Sequence, residues 1–198
     1  GEGGLATTNN PVYAEKLNKL RTHGIEKNNE NFYYKTDKPW IYEQQFLGYN
    51  YRMTDIQAAL GLSQLRKLDK FVIERNEIIR RYQELFEDID YFSFLKVEDN
   101  VYSSFHLAIL ILKNKASRFH KEIFNFLRAA GVGVQIHYIP IHCQPYYQNL
   151  GFKRGDFPNS EKYADTAISI PIYPGLTYEN QKYVYDKLKE IEDSYEIF

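Results

Sequence analysis

The chain is poor in residues that carry covalent or metal chemistry. It has one cysteine, Cys143, in 198 residues. No intrachain disulfide can form, which suits a reducing compartment such as the cytoplasm. Of its five histidines, no two stand in the H-x-x-x-H spacing that grips zinc from one helix face. A charge excess is missing too. Lys and Arg number 25 against 26 Asp and Glu, for a net charge of -1, so nothing electrostatic calls for nucleic acid or an anionic membrane. Long apolar runs are also absent. The longest candidate, "FHLAILIL", has the length of a buried strand and falls far short of the roughly 20 residues a membrane helix needs. Aromatics, in contrast, are plentiful at 16%, mostly Tyr and Phe. Such rings supply core, stacking platforms or subunit interface, and composition alone does not choose among these.

Along the chain, "PVYAEKLNKLRTHG" reads as a helix with Asn10 as N-cap, Pro11 in the first turn and Gly24 at its end. Residues 25–47 are polar and aromatic without periodicity and read as a long loop. "TDIQAALGLSQLRKL" opens on a capping box, Thr54 with Gln57, and carries a stripe of Ile56, Ala59, Leu60, Leu65 and Leu68. The next helix, "DKFVIERNEIIRRYQELFEDI", buries Phe71, Ile78, Ile79, Tyr82 and Leu85. From about residue 101 strands and helices alternate. "SSFHLAILIL" and "VGVQIHYI" read as strands around the helix "SRFHKEIFNFLRAAG". A short helix "NSEKYADTAIS", an extended "IPIYP" and a terminal helix follow. The order predicts an α+β or α/β layer, with a boundary near residue 70.

Two stretches could carry chemistry. In "GYNYRMTDIQ", Gly48 and Asn50 precede a helix N-terminus, where free N–H groups and the dipole favour an anion. The Asn50 amide and the Arg52 guanidinium can donate to a phosphate or carboxylate. The competing reading is an ordinary cap with Arg52 in a surface ion pair. In "IHYIPIHCQPYYQNLGFKRGDFP", imidazole, phenol and amide groups sit between prolines, a stiff donor-rich segment suited to a polar ligand or simply packed on its own domain. A metal pair of His137 and His142, or a nucleophile built from Cys143 and His142, are further readings of the same stretch.

"GEGGLATTNN", "LRTHGI", "GYNYRMTDIQAALGLSQL", "HYIPIHCQPYY" and "SIPIYPGLT" occur in the order and spacing of the DegT/DnrJ/EryC1/StrS family, which the chain resembles along essentially its whole length. The resemblance implies the C-terminal part of a fold-type-I transferase dependent on pyridoxal 5'-phosphate. Residues 1–70 would be the end of the large cofactor domain with a linking helix, and 71–198 the small α+β domain. It implies transfer of an amino group, from glutamate, to a UDP-linked 4-keto-6-deoxy sugar, in a homodimer with no nucleic acid, membrane or metal involved. The Schiff-base lysine of the family lies just before the "GEGG" turn and is therefore expected upstream of Gly1. No lysine here matches it, so this chain alone is expected to be inactive. Gly1, Gly3 and Gly4 match the turn that lets backbone approach the active site. Asn50 matches the residue that reaches a neighbouring subunit's cofactor phosphate, and Arg52 a cation close to it. His137 and Tyr138, and with them His142, match the place where the small domain meets the sugar nucleotide. Two alternatives stay open: a non-catalytic sugar-nucleotide-binding or dimerisation module, and a dehydratase of the same family in which His replaces the lysine.

Overall fold

The computed structural model describes residues 3–194, so Gly1 of the opening turn lies outside the described residues. The chain forms two compact units that divide between Lys67 and Leu68.

The first unit is built on a short polar frame. Helix α1, Pro11–Leu20, starts where Asn10 Oδ1 accepts from the Val12 N–H at 2.9 Å. It ends at Leu20, four residues before Gly24. The chain then turns so that Gly24 and Gly48 meet backbone to backbone. Gly24 has φ +72°, and a Cβ there would stand 2.0 Å from the Phe46 carbonyl oxygen. A Cβ on Gly48 would stand 2.2 Å from the Gly24 nitrogen. Only glycine permits that approach. The expected loop 25–47 is not structureless. Strand β1, Ile25–Glu26, pairs antiparallel with β2, Glu43–Gln44. Glu26 is buried and organises the turn between them. It accepts from the Lys27 and Asn28 N–H groups at 2.8 and 2.7 Å and pairs with Lys19 at 2.7 Å. The Lys19 ammonium and these N–H donors pull its carboxyl from 4.5 down to about 2. Helix α2, Asp55–Leu65, carries the capping box foreseen at Thr54 and Gln57. Its apolar stripe is not a buried one: Ile56 is 83% exposed and Leu65 63%.

The second unit holds the core. Helix α3, Leu68–Leu85, buries Ile78, Ile79 and Tyr82. A three-stranded antiparallel sheet follows, in the order β3 (Phe92–Phe94), β4 (Ala108–Leu112), β5 (Ala167–Ile170). Alternate residues of β4, Ala108, Leu110 and Leu112, enter the core. They meet Ile123 and Leu127 of helix α4 (His120–Ala129) and Val184, Leu188 and Ile191 of helix α7 (Tyr178–Ser194). The short helices α5 (Pro145–Gln148) and α6 (Pro158–Thr166) complete the unit, with α6 against β4. Burial pushes the phenols of Tyr82 and Tyr91 upward, so both stay protonated and donate, to the Pro171 and Leu188 carbonyls at 3.1 and 2.8 Å.

Phe71 and Leu85, expected on the buried face of α3, are only half-buried, and three further expectations need correction. β4 begins at Ala108 instead of residue 103. Asn76 takes the Ser103 carbonyl and Arg75 the Phe105 and His106 carbonyls, and Phe105 turns at φ 44°, so this stretch cannot join the ladder. Residues 132–139 form no full strand; among the described residues, their backbone pairs with the sheet at the Gln135–Ser169 bridge alone. Residues 167–169, assigned to a helix end, are strand, because they pair in register with 109–111.

Candidate functional site

In the first unit, the Asn50–Arg52 segment is held by its backbone. The Tyr49 N–H donates to Leu20 at 2.7 Å, the His23 N–H to Tyr49 at 2.8 Å and the Tyr51 N–H to Arg21 at 2.9 Å. The rings of Tyr49 and Tyr51 stack at 4.9 Å. Asn50 falls on the other side of this alternation. Both Asn50 and Arg52 are exposed. Among the described residues, neither the Asn50 amide nor the Arg52 guanidinium has a hydrogen-bond or ion-pair partner. The surface ion pair weighed for Arg52 is therefore not formed. The helix terminus itself offers less to an anion than its position suggests. Thr54 and Gln57 occupy the capping positions, and Asp55 already sits against the dipole. Attraction for an anion at this place comes from the two side chains. An amide and a guanidinium, held on a fixed backbone and unspent, are a donor set that fits the phosphate of pyridoxal phosphate.

In the second unit, His137 and Ser169 come together. His137 Nδ1 lies 2.8 Å from Ser169 Oγ, and the Gln135 and Ser169 backbones exchange two hydrogen bonds of 3.1 and 2.8 Å. These residues border a pocket of about 560 Å³. Tyr138 projects outward, 72% exposed, with its ring edge-on to His137 at 4.7 Å. Arg75 braces the pocket from outside. One guanidinium nitrogen donates to the carbonyls of Phe105, His106 and Ile172, and His106 and Ile172 both line the pocket.

His142 stands apart from this pocket. It is 6% exposed, and its Nε2 lies 2.8 Å from Glu161 Oε1. Glu161 also accepts from the Gly155 N–H at 2.6 Å and has Arg154 at 3.7 Å. Arg154 reaches on to Asp165. The imidazole contact and the N–H donors hold the Glu161 carboxyl below its usual range. His142, Cys143 and Glu161 present ligand atoms within 4.8 Å of one another. Those of Glu161 are already occupied by donors. His137 and His142 take separate partners, Ser169 and Glu161. The cluster ties the 139–157 segment to α6.

Glu161, Ser169, Gln135 and Arg75 were not singled out from the sequence. Arg75 has no local signature, since it looks like any charged position on a helix. Glu161 had one faint signal, an acid in the first turn of a helix after Pro158.

The structure matches known aminotransferases over about half of their length. That of Helicobacter pylori PseC, an aminotransferase involved in the biosynthesis of pseudoaminic acid, agrees with a TM-score of 0.83 at 29% identity. It covers 95% of this chain and 48% of that one. A putative sugar aminotransferase from Streptococcus pneumoniae, Spr1654, matches in its PMP-form with a TM-score of 0.82 and 26% identity, over 96% of this chain and 48% of that one. Its PLP-form matches with a TM-score of 0.80. The fold is the mixed α/β architecture of the C-terminal part of a fold-type-I enzyme dependent on pyridoxal phosphate. Within that class, the DegT/DnrJ/EryC1/StrS aminotransferase family matches residues 1–189, and the chain belongs to this family. A UDP-4-amino-4,6-dideoxy-N-acetyl-beta-L-altrosamine transaminase from Campylobacter jejuni is 36% identical over 191 residues, 96% of this chain and 48% of the relative. The chain spans about half the length of the curated relatives it matches. No helix among the described residues is long and apolar enough to cross a membrane.

Proposed function

We propose that the chain is the C-terminal portion of a sugar-nucleotide aminotransferase that moves an amino group from glutamate to a UDP-linked 4-keto-6-deoxy sugar in a reducing, cytoplasmic compartment. The observation that carries this reading is the pinned segment 49–52, where the donor groups of Asn50 and Arg52 are left unspent. Pyridoxal phosphate, when bound, supplies the carbonyl that carries the amino group between donor and acceptor. Asn50 and Arg52 hold its phosphate, and in a homodimer they serve the partner's site. His137 is fixed by Ser169 and, with Tyr138, contacts the sugar nucleotide. His142 acts one step back, through Glu161, by holding the segment that follows Tyr138. Residues 1–70 belong to the end of the cofactor domain and 71–198 to the small domain. No lysine among these 198 residues matches the one that holds the cofactor in the family, so the chain by itself is expected to give no turnover.

In the protein that carries that lysine, Arg52→Ala is expected to weaken pyridoxal phosphate binding about tenfold or more, the loss of one charged hydrogen-bonding group. Arg52→Lys should restore part of it. Absorbance titration reads both. An unchanged affinity in Arg52→Ala would remove Arg52 from the phosphate site.

A further inference from the structure

Among the described residues, no lysine, arginine, aspartate or glutamate lines the pocket beside His137. Its floor is apolar, made by the buried Val132, Ile170, Leu176 and Val184. Its rim is neutral and polar. Gln135 Oε1 accepts from the Ile136 N–H at 2.9 Å, which leaves the NH2 of Gln135 unspent. The Asn180 amide, on the first turn of α7, has no partner among the described residues and keeps both a donor and an acceptor. The Tyr183 hydroxyl donates to the Ala130 carbonyl at 2.8 Å, so that residue offers a ligand its ring and an acceptor oxygen but no donor. The lysines on the same helix next to these residues are also spent: Lys182 bonds both Asp186 carboxylate oxygens at 2.7 and 2.9 Å. Lys187 lies over the Tyr183 ring at 5.4 Å and bonds Glu190 at 2.5 Å.

A nucleotide sugar has two chemically different parts. The diphosphate needs cations or clustered N–H donors. The rings at its two ends are uncharged, with apolar faces and edges where donors and acceptors sit side by side. An apolar floor bordered by amides and two imidazoles, those of His106 and His137, matches the rings and does not match the diphosphate. The volume of about 560 Å³ is ample for one ring system.

We propose that this pocket takes an uncharged polar ring of the sugar nucleotide, read at its edge by Asn180 and Gln135, with the diphosphate held outside it. The choice of ligand rests on the aminotransferase reading, while the exclusion of the diphosphate rests on the lining alone. The ring has two possible sources, the pyrimidine base and the hexose, and both share this chemistry.

The test uses the 198-residue chain at pH 8, where ordinary imidazoles are neutral. Side-chain amide NMR signals of Asn180 and Gln135 are followed while uridine, N-acetylglucosamine or pyrophosphate is added. One of the two neutral probes should shift both signals saturably, and which one does names the source. Pyrophosphate should leave them in place. Asn180→Ala should weaken that probe about fivefold, the loss of a neutral hydrogen bond. Gln135→Ala, at an exposed position, gives an independent second variant. Shifts caused by pyrophosphate, silence from both neutral probes, or unchanged affinity in both variants would overturn the proposal. No amino transfer is measured, so failure here leaves the aminotransferase reading standing, and failure of that reading leaves this result standing.

Discussion

Residues 3–67 and 68–194 have similar ingredients and are held together by different forces. In the second unit, apolar side chains from α3, β4, α4 and α7 close around one another. In the first unit, Phe32 is the only buried hydrophobic residue among those described, and neither α1 nor α2 buries a side chain. The first unit relies on a buried carboxylate, a pair of facing glycines and short backbone bridges. Its apolar residues, including Ile56, Leu60, Leu62 and Leu65, face outward. A unit that presents that much apolar surface and so little core is built to be covered. The comparison teaches where to look for independent stability and where to look for dependence on contacts that these residues do not supply.

The contrast can be broken most sharply in the core. Leu110 is 1% exposed, and Leu110→Ala should cost the second unit about 2–5 kcal/mol. Hydrogen exchange should rise through β4, β5 and α7 and stay unchanged in residues 3–67. A rise in both units would show that they do not stand apart. Gly48→Ala attacks the other side. A Cβ 2.2 Å from the Gly24 nitrogen forces the backbones apart, at about 1–3 kcal/mol. Exchange should increase at Tyr49 and Tyr51 and leave β4 protected. The smallest effect is on pH dependence. Because the Glu26 carboxyl is lowered from 4.5 to about 2, it stabilises the first unit fully above 4.5, and this contribution is lost as pH falls from there toward 2. Fluorescence of Trp40, the single tryptophan, reports that unit. In Glu26→Gln the loss across that window should disappear. If the wild-type and variant titrations coincide, the polar frame is not what holds the first unit.

Local signals were legible in the sequence, and long-range ones were not. Asn10, Thr54 and Gln57 cap helices through contacts within three residues, and the sequence carries that information directly. The buried face of α3 was legible in part, because its period is helical: Ile78, Ile79 and Tyr82 are buried, while Phe71 and Leu85 are only half-buried. The short β5 was not, since "AIS" acquires its strand form only by pairing with β4 more than fifty residues earlier. The site divides the same way. Asn50 and Arg52 were visible from their place before a capped helix. Ser169, 32 residues from His137, and Glu161, 19 from His142, become partners only through the fold. That is why His142 could be grouped with His137 from the sequence, although the structure gives it a buried carboxylate instead of a pocket.

The central proposal is that these residues belong to a sugar-nucleotide aminotransferase and do not themselves supply its lysine. It is tested most directly by following transfer of nitrogen from 15N-glutamate to a UDP-linked 4-keto-6-deoxy sugar, with pyridoxal phosphate present. The 198-residue chain and the protein that joins it to its lysine-bearing segment are compared side by side. The account predicts labelled amino sugar from the joined protein and none from the chain alone. Turnover by the chain alone, or none by the joined protein with either glutamate or its sugar substrate in excess, would contradict it.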